Sequence, residues 1–213
     1  MKAIELAVAI SVVLASAGCS VPERSRYTAN PNTSARTLAE QVCSNCHEVD
    51  GNSVSPNFPR LAAQQKLYVV EQLKGFRTHS RSDPAGFEYM WGLSRGLTDA
   101  QIDGLADYYS RQKPAGKVKT NLVRAAVGES IFKNGIAEKN IPACQACHGA
   151  EAQGNQQFPR LAGQHADYVV KQLQVFQRTD ERPEGAIMKM IAHELTLENM
   201  KNVAEYVQGV GAD

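Results

Sequence analysis

Residues 43–47 read CSNCH and residues 144–148 read CQACH. These ten positions hold four of the five cysteines and two of the five histidines in a chain of 213 residues. A Cys-x-x-Cys-His run is the attachment signal for a c-type haem. Two thiols three positions apart meet the two vinyl groups of one porphyrin and form thioethers, and the adjacent histidine is then held beneath the iron. Cys43, Cys46, Cys144 and Cys147 are therefore the candidate covalent attachment points for two haem c groups, and His47 and His148 the candidate iron ligands. A zinc ribbon explains the pattern less well. Its cysteine pairs usually lie about 15–20 residues apart, and its chemistry leaves a trailing histidine unexplained twice. A thioredoxin-like dithiol needs a βαβ context, and no strand alternation persists in this chain.

A histidine leaves a sixth position on each iron. Methionine there raises the potential and suits electron transfer. After its motif the first half offers only Met90; the second half offers Met188, Met190 and Met200. Met90 lies seven residues before Leu97 and Met188 seven before Leu195, which favours Met188 and leaves Met190 as the alternative. Met200 falls within a helical pattern and reads as core. His79, His165 and His193 have no counterparts in the other half and read as surface or core side chains.

The elements that hold these residues come in two copies. FPRLAAQQKLYVVEQLKGFR at 58–77 matches FPRLAGQHADYVVKQLQVFQ at 158–177 in twelve of twenty positions. Such self-similarity at one offset marks a duplication. Each unit begins with a helical segment leading into the cysteine motif. A middle helix follows, expected from near Leu61 or Leu161 to Phe76 or Phe176 on its spacing of three and four. A last helix begins after Thr98 or Thr196, with Thr98 and Gln101 forming a capping box. The fold class is thus all-α: two tandem domains, each wrapped around one haem. The expected bounds are domain one at 33–113, a linker at 114–122 and domain two at 123–213. Units of about 85 residues have thin cores, and a buried porphyrin would fill them.

Pro59-Arg60 and Pro159-Arg160 recur in both units. Each proline carbonyl is placed to accept the second ring proton of a ligand histidine, and each arginine to pair with a haem propionate.

The N-terminus, MKAIELAVAISVVLASAGCS, has the order of a secretory signal: a lysine, a short apolar run, then small residues. Residues 1–18 read as that signal and 19–32 as a flexible tether. Cys19 stands in a sequence similar to a lipoprotein box, which would make it a lipidated mature N-terminus; cleavage after Ala17 is the alternative. Charge is balanced at +1 and shows no clustered basic surface of the kind nucleic acid requires.

Taken with the doubled FPRLA-x-Q-x-x-x-Y-V-V-x-Q-L and the placing of Met90 and Met188, these motifs resemble the dihaem cytochromes c of the cytochrome c4 type over about residues 33–210. The resemblance implies two class I-like haem domains related by a pseudo-twofold, with haem edges close across their interface. It implies His/Met ligation in both domains and a periplasmic one-electron carrier. Its partners would be proteins, a membrane electron donor and a terminal oxidase of a respiratory chain, with no organic substrate. In that family a glycine commonly follows the haem motif, where this chain has Glu48. Two other classes fit the same motifs: a haem enzyme (a dihaem peroxidase or a dehydrogenase of a small sulfur compound), and a dedicated cytochrome subunit of a membrane oxidoreductase complex.

Overall fold

The computed structural model describes residues 27–84 and 86–211; the expected signal and Cys19 lie outside the described residues. In domain one, α1 (Ala35–Leu38) passes through a π-helical turn (Ala39–Cys43) into α2 (Ser44–His47). Then come α3 (Lys66–Arg77), a second π-helical turn (Gly86–Met90) running into α4 (Trp91–Ser94), and α5 (Asp99–Ser110). Domain two repeats the order with α6 (Leu122–Asn134), α7 (Gln145–His148), α8 (Ala166–Arg178), α9 (Ala186–Ala192) and α10 (Leu197–Gly209). The described residues contain isolated β-bridges, Ile136 to Ile141 and Asn155 to Phe158, but no strand. The duplicated all-α architecture read from the motifs is the one observed.

Local chemistry sets the helix ends. Thr98 accepts from the Gln101 amide and Gln101 reaches back to the Thr98 amide. Thr196 makes the same reciprocal pair with Asn199, where an asparagine does the work usually given to Glu or Gln. Asn121 caps α6 by accepting from two amides. The middle helices start later than periodicity suggests, at Lys66 and Ala166. Ala63 and Gly163 hold positive φ of 55° and 75°, which interrupts the α-helical path. The side chains of Gln64 and Gln164 then fold back to accept from the next amide, at 2.9 and 3.1 Å.

In each domain the first and last helices cross closely, and glycine permits it. A Cβ on Gly104 of α5 would lie 2.5 Å from the Ala35 Cβ, and one on Gly128 of α6 would lie 1.9 Å from the Asn202 carbonyl. Domain one has the smaller core, built on Leu38, Leu97, Ile102, Leu105 and Tyr109. Domain two packs Ile131, Phe132, Ile141, Met200, Val203 and Val207 among others. Met200 is 1% exposed, a core residue as its helical spacing indicated.

Candidate haem sites

Both cysteine motifs open onto one continuous, largely apolar cavity of about 530 Å³ that crosses the domain interface. Cys43, Cys46 and His47 line it from one side, and Cys144, Cys147 and His148 from the other. The four cysteines are not disulfide-bonded. Burial pushes the Cys43 and Cys144 thiols up to about 11, the opposite of the lowered thiol a dithiol redox motif uses. Among the described residues, no three of His, Cys, Asp or Glu gather into a metal cage, so the zinc alternative finds no coordination set.

The two histidines are held alike. His47 Nδ1 lies 2.9 Å from the Pro59 carbonyl, and His148 Nδ1 lies 3.0 Å from the Pro159 carbonyl. A carbonyl can only accept, so the proton sits on Nδ1 and the Nε2 lone pair is free for a metal. Burial lowers the pKa of both rings, against the raising effect of the proline carbonyl. Phe58 and Phe158 meet the imidazoles edge-on, with centroids 6.2 and 6.4 Å apart.

Met90 and Met188 are both half-buried and both line the cavity. Met190 is 72% exposed and does not line it. Trp91, next to Met90, stacks on Phe87 and meets His79 at a tilt rather than lining the cavity. Arg60 and Arg160 reach the cavity wall. Arg60 donates through Nη1 to the Gly163 carbonyl at 2.8 Å and through Nε to that of Ser53 at 3.3 Å. Arg160 Nε is buried with no partner in the protein. An unsatisfied guanidinium proton at an apolar cavity fits an acidic group of the cofactor. The residues present thus fit a porphyrin: paired thiols, a tautomerically fixed imidazole, an apolar slot and an unspent cationic donor.

Several residues of the interface escaped the sequence reading. Gln64 and Gln164 each bond the Pro-Arg backbone of the opposite domain. Arg81 pairs with Asp83 at 2.8 Å and donates to Gln72 of its own domain and Gln172 of the other. Arg182 pairs with Glu184 at 2.9 Å and donates to the same two glutamines. The guanidiniums lie over Phe76 and Phe176. Burial is the largest single influence on Asp83 and raises it, but the charge and hydrogen bond of Arg81, the charge of Arg182 and the bond from Gln172 together outweigh it and hold the carboxyl below its usual range. Their signal was available: Arg-x-Asp at 81–83 and Arg-x-Glu at 182–184 recur at the motif's own offset of 101. His165, which repetition gave no role, is buried at the interface, with Nε2 2.8 Å from the Ser53 carbonyl.

Two helical domains, each presenting a Cys-x-x-Cys-His run to an apolar cavity, define a dihaem c-type cytochrome. The family model for cytochrome c matches residues 33–111 and 125–211. Cytochrome c4 of Azotobacter vinelandii is 36% identical over 179 residues, covering 79% of this chain and 84% of that protein. The thiosulfate dehydrogenase electron acceptor of Thiomonas intermedia (strain K12) is 33% identical over 170 residues, covering 78% of this chain and 76% of that one. A solved cytochrome c4 structure from Acidithiobacillus ferrooxidans superposes with a TM-score of 0.73 at 40% identity, covering 78% of this chain and 98% of that chain. The chain belongs to the cytochrome c family, within which it is a dihaem electron carrier of the cytochrome c4 type. It binds two haem c groups covalently through Cys43 with Cys46 and Cys144 with Cys147.

Proposed function

We propose that this protein is a periplasmic one-electron relay that takes electrons from a membrane donor and passes them toward a terminal oxidase. His47 and Met90 are the proposed ligands of the first iron, and His148 and Met188 those of the second. Each haem, when bound, supplies an iron that cycles between ferrous and ferric. The chain's own residues keep water from the metal, fix the imidazole tautomer and place cationic donors at the cavity wall. The observation that carries the reading is the single cavity shared by both motifs. It supports close approach of the two cofactors, so that one domain receives and the other delivers. A methionine in each half lines that cavity, which favours closed coordination and a carrier over a haem enzyme.

A second reading rests on the Thiomonas relative, which is described as the electron acceptor of a thiosulfate dehydrogenase. On that reading the donor is a thiosulfate dehydrogenase. Residues 1–18 remain the proposed signal, 19–32 the tether and 114–122 the linker, with Cys19 as the proposed lipid anchor. No helix among the described residues is long and apolar enough to cross a membrane.

The protein matured in a host that attaches haem c should carry the mass of two haems. The ferric form should show the red-end optical band of Met–Fe bonding for both irons. Stopped-flow mixing then separates the donors. Fast reduction by a membrane quinol-oxidising complex and fast oxidation by a terminal oxidase support the relay. Reduction by thiosulfate dehydrogenase alone would replace it with the second reading. Rapid cyanide binding by either ferric haem would reopen the enzyme reading.

A further inference from the structure

The backbone that holds each ligand histidine is gripped by the other domain. The carbonyl of the Pro59–Arg60 peptide accepts from His47 Nδ1 at 2.9 Å. The N–H of the same peptide group donates to Gln164 Oε1, across the interface, at 2.9 Å. Gln164 Nε2 returns a bond to the Arg60 carbonyl at 3.0 Å, so its amide grips the Arg60 backbone at two points while its oxygen also accepts from the His165 N–H. The arrangement has a mirror image. His148 Nδ1 donates to the Pro159 carbonyl at 3.0 Å, Arg160 N–H donates to Gln64 Oε1 at 2.7 Å, and Gln64 Nε2 donates to the Arg160 carbonyl at 3.0 Å. Both glutamines are 6% exposed.

A peptide group is a resonance unit. Hydrogen bonding at its N–H moves electron density onto its oxygen, and chains of such bonds polarise one another in a low-dielectric interior. The proline carbonyl thus becomes a stronger acceptor for the imidazole N–H. A stronger acceptor on the far nitrogen makes a histidine a more basic metal ligand, and a more basic ligand favours the ferric ion.

We propose that Gln164 of domain two sets the ligand strength of His47 in domain one, and that Gln64 of domain one does the same for His148 in domain two. Both are positioning residues acting through one shared peptide group. Each haem's potential then depends on the opposite domain being docked. The inference rests on His47 and His148 being iron ligands.

The test uses the full two-haem protein. Proton NMR assigns each haem and each histidine Nδ1–H resonance, and a potentiometric titration follows the two midpoints. Gln164→Met removes the acceptor at similar size. It should raise the haem-one midpoint, shift the His47 Nδ1–H resonance upfield and leave haem two in place. Gln164→Glu restores an acceptor to the Arg60 N–H and should put haem one at or below its wild-type midpoint. Gln64→Met and Gln64→Glu should repeat this at haem two. The proposal is overturned if both midpoints move together, if the haem in the mutated domain is the one that moves, if Met and Glu variants shift alike, or if neither midpoint moves. A variant that fails to mature is replaced by the mirror pair, which must show the crossed effect by itself. Failure of the ligand reading looks different: the wild-type protein would then lack the ferric His/Met spectrum, whatever the glutamine variants do.

Discussion

A methionine has to be in the right place as well as of the right type. Met188 and Met190 stand two residues apart on α9, so helix geometry turns them to different faces. One lines the cavity and the other faces water. Met188→Ala should remove about half of the red-end Met–Fe intensity, and Met90→Ala the other half, since each of two irons would lose its sulfur. Met190→Ala should leave the ferric spectrum unchanged. A spectrum that responds to Met190 and ignores Met188 would reverse the assignment.

Among the elements, the turns that end the haem-motif helices are unequal. α7 ends on Gly149 at φ 81° and ψ 155°, while α2 ends on Glu48 at φ 62° and ψ 162°. That region belongs almost wholly to glycine, and a side chain there costs about 1–3 kcal/mol. Glu48 is exposed; its backbone N–H donates to the Ser44 carbonyl and its carbonyl accepts from the Gly51 N–H. Glu48→Gly should therefore stabilise domain one by about 1 kcal/mol, once the greater chain entropy of glycine is set against the relieved strain. Chemical denaturation followed at the haem-one absorbance checks this; a loss of stability would mean the glutamate is held by something outside the turn.

At the scale of the whole molecule, the interface joins two buried arginines to acids of different exposure. The Asp83 side chain is fully buried, whereas that of Glu184 is 27% exposed. Asp83→Asn should leave Arg81 without a counter-charge and cost about 3–5 kcal/mol. Glu184→Gln, which removes an acid that water already partly solvates but leaves Arg182 buried, should cost less, about 1–3 kcal/mol. Equal costs in urea denaturation would show that burial does not govern the cluster. The interface also carries a pH response. Burial lowers the His165 pKa below its ordinary 6.5, and Arg60 lowers it further, against the raising effects of its bond to the Ser53 carbonyl and of Asp167. The folded state therefore prefers neutral His165. Its contribution is complete above 6.5 and is lost as pH falls from there toward the depressed folded value. His165→Gln, which copies Gln65 of the first unit, should flatten that fall in a series of unfolding curves between about pH 5 and 8.

Much of this was legible without coordinates because duplication prints its own evidence. Paired motifs, paired Pro-Arg steps and paired caps at Thr98 and Thr196 are local patterns. They follow from covalent chemistry and backbone geometry over a few residues, and so they can be read from spacing alone. Spacing also favoured Met188 over Met190, but only packing could show which side chain meets the cavity. The late start of α3 and α8 was hidden because apolar periodicity runs straight through a positive-φ residue that the pattern does not register. The interface was hidden for a deeper reason. Gln64 meets Arg160, and Arg81 meets Gln172, only after two separately folded domains are docked. Repetition along the chain says that these residues are equivalent; it does not say that each has its partner in the other copy.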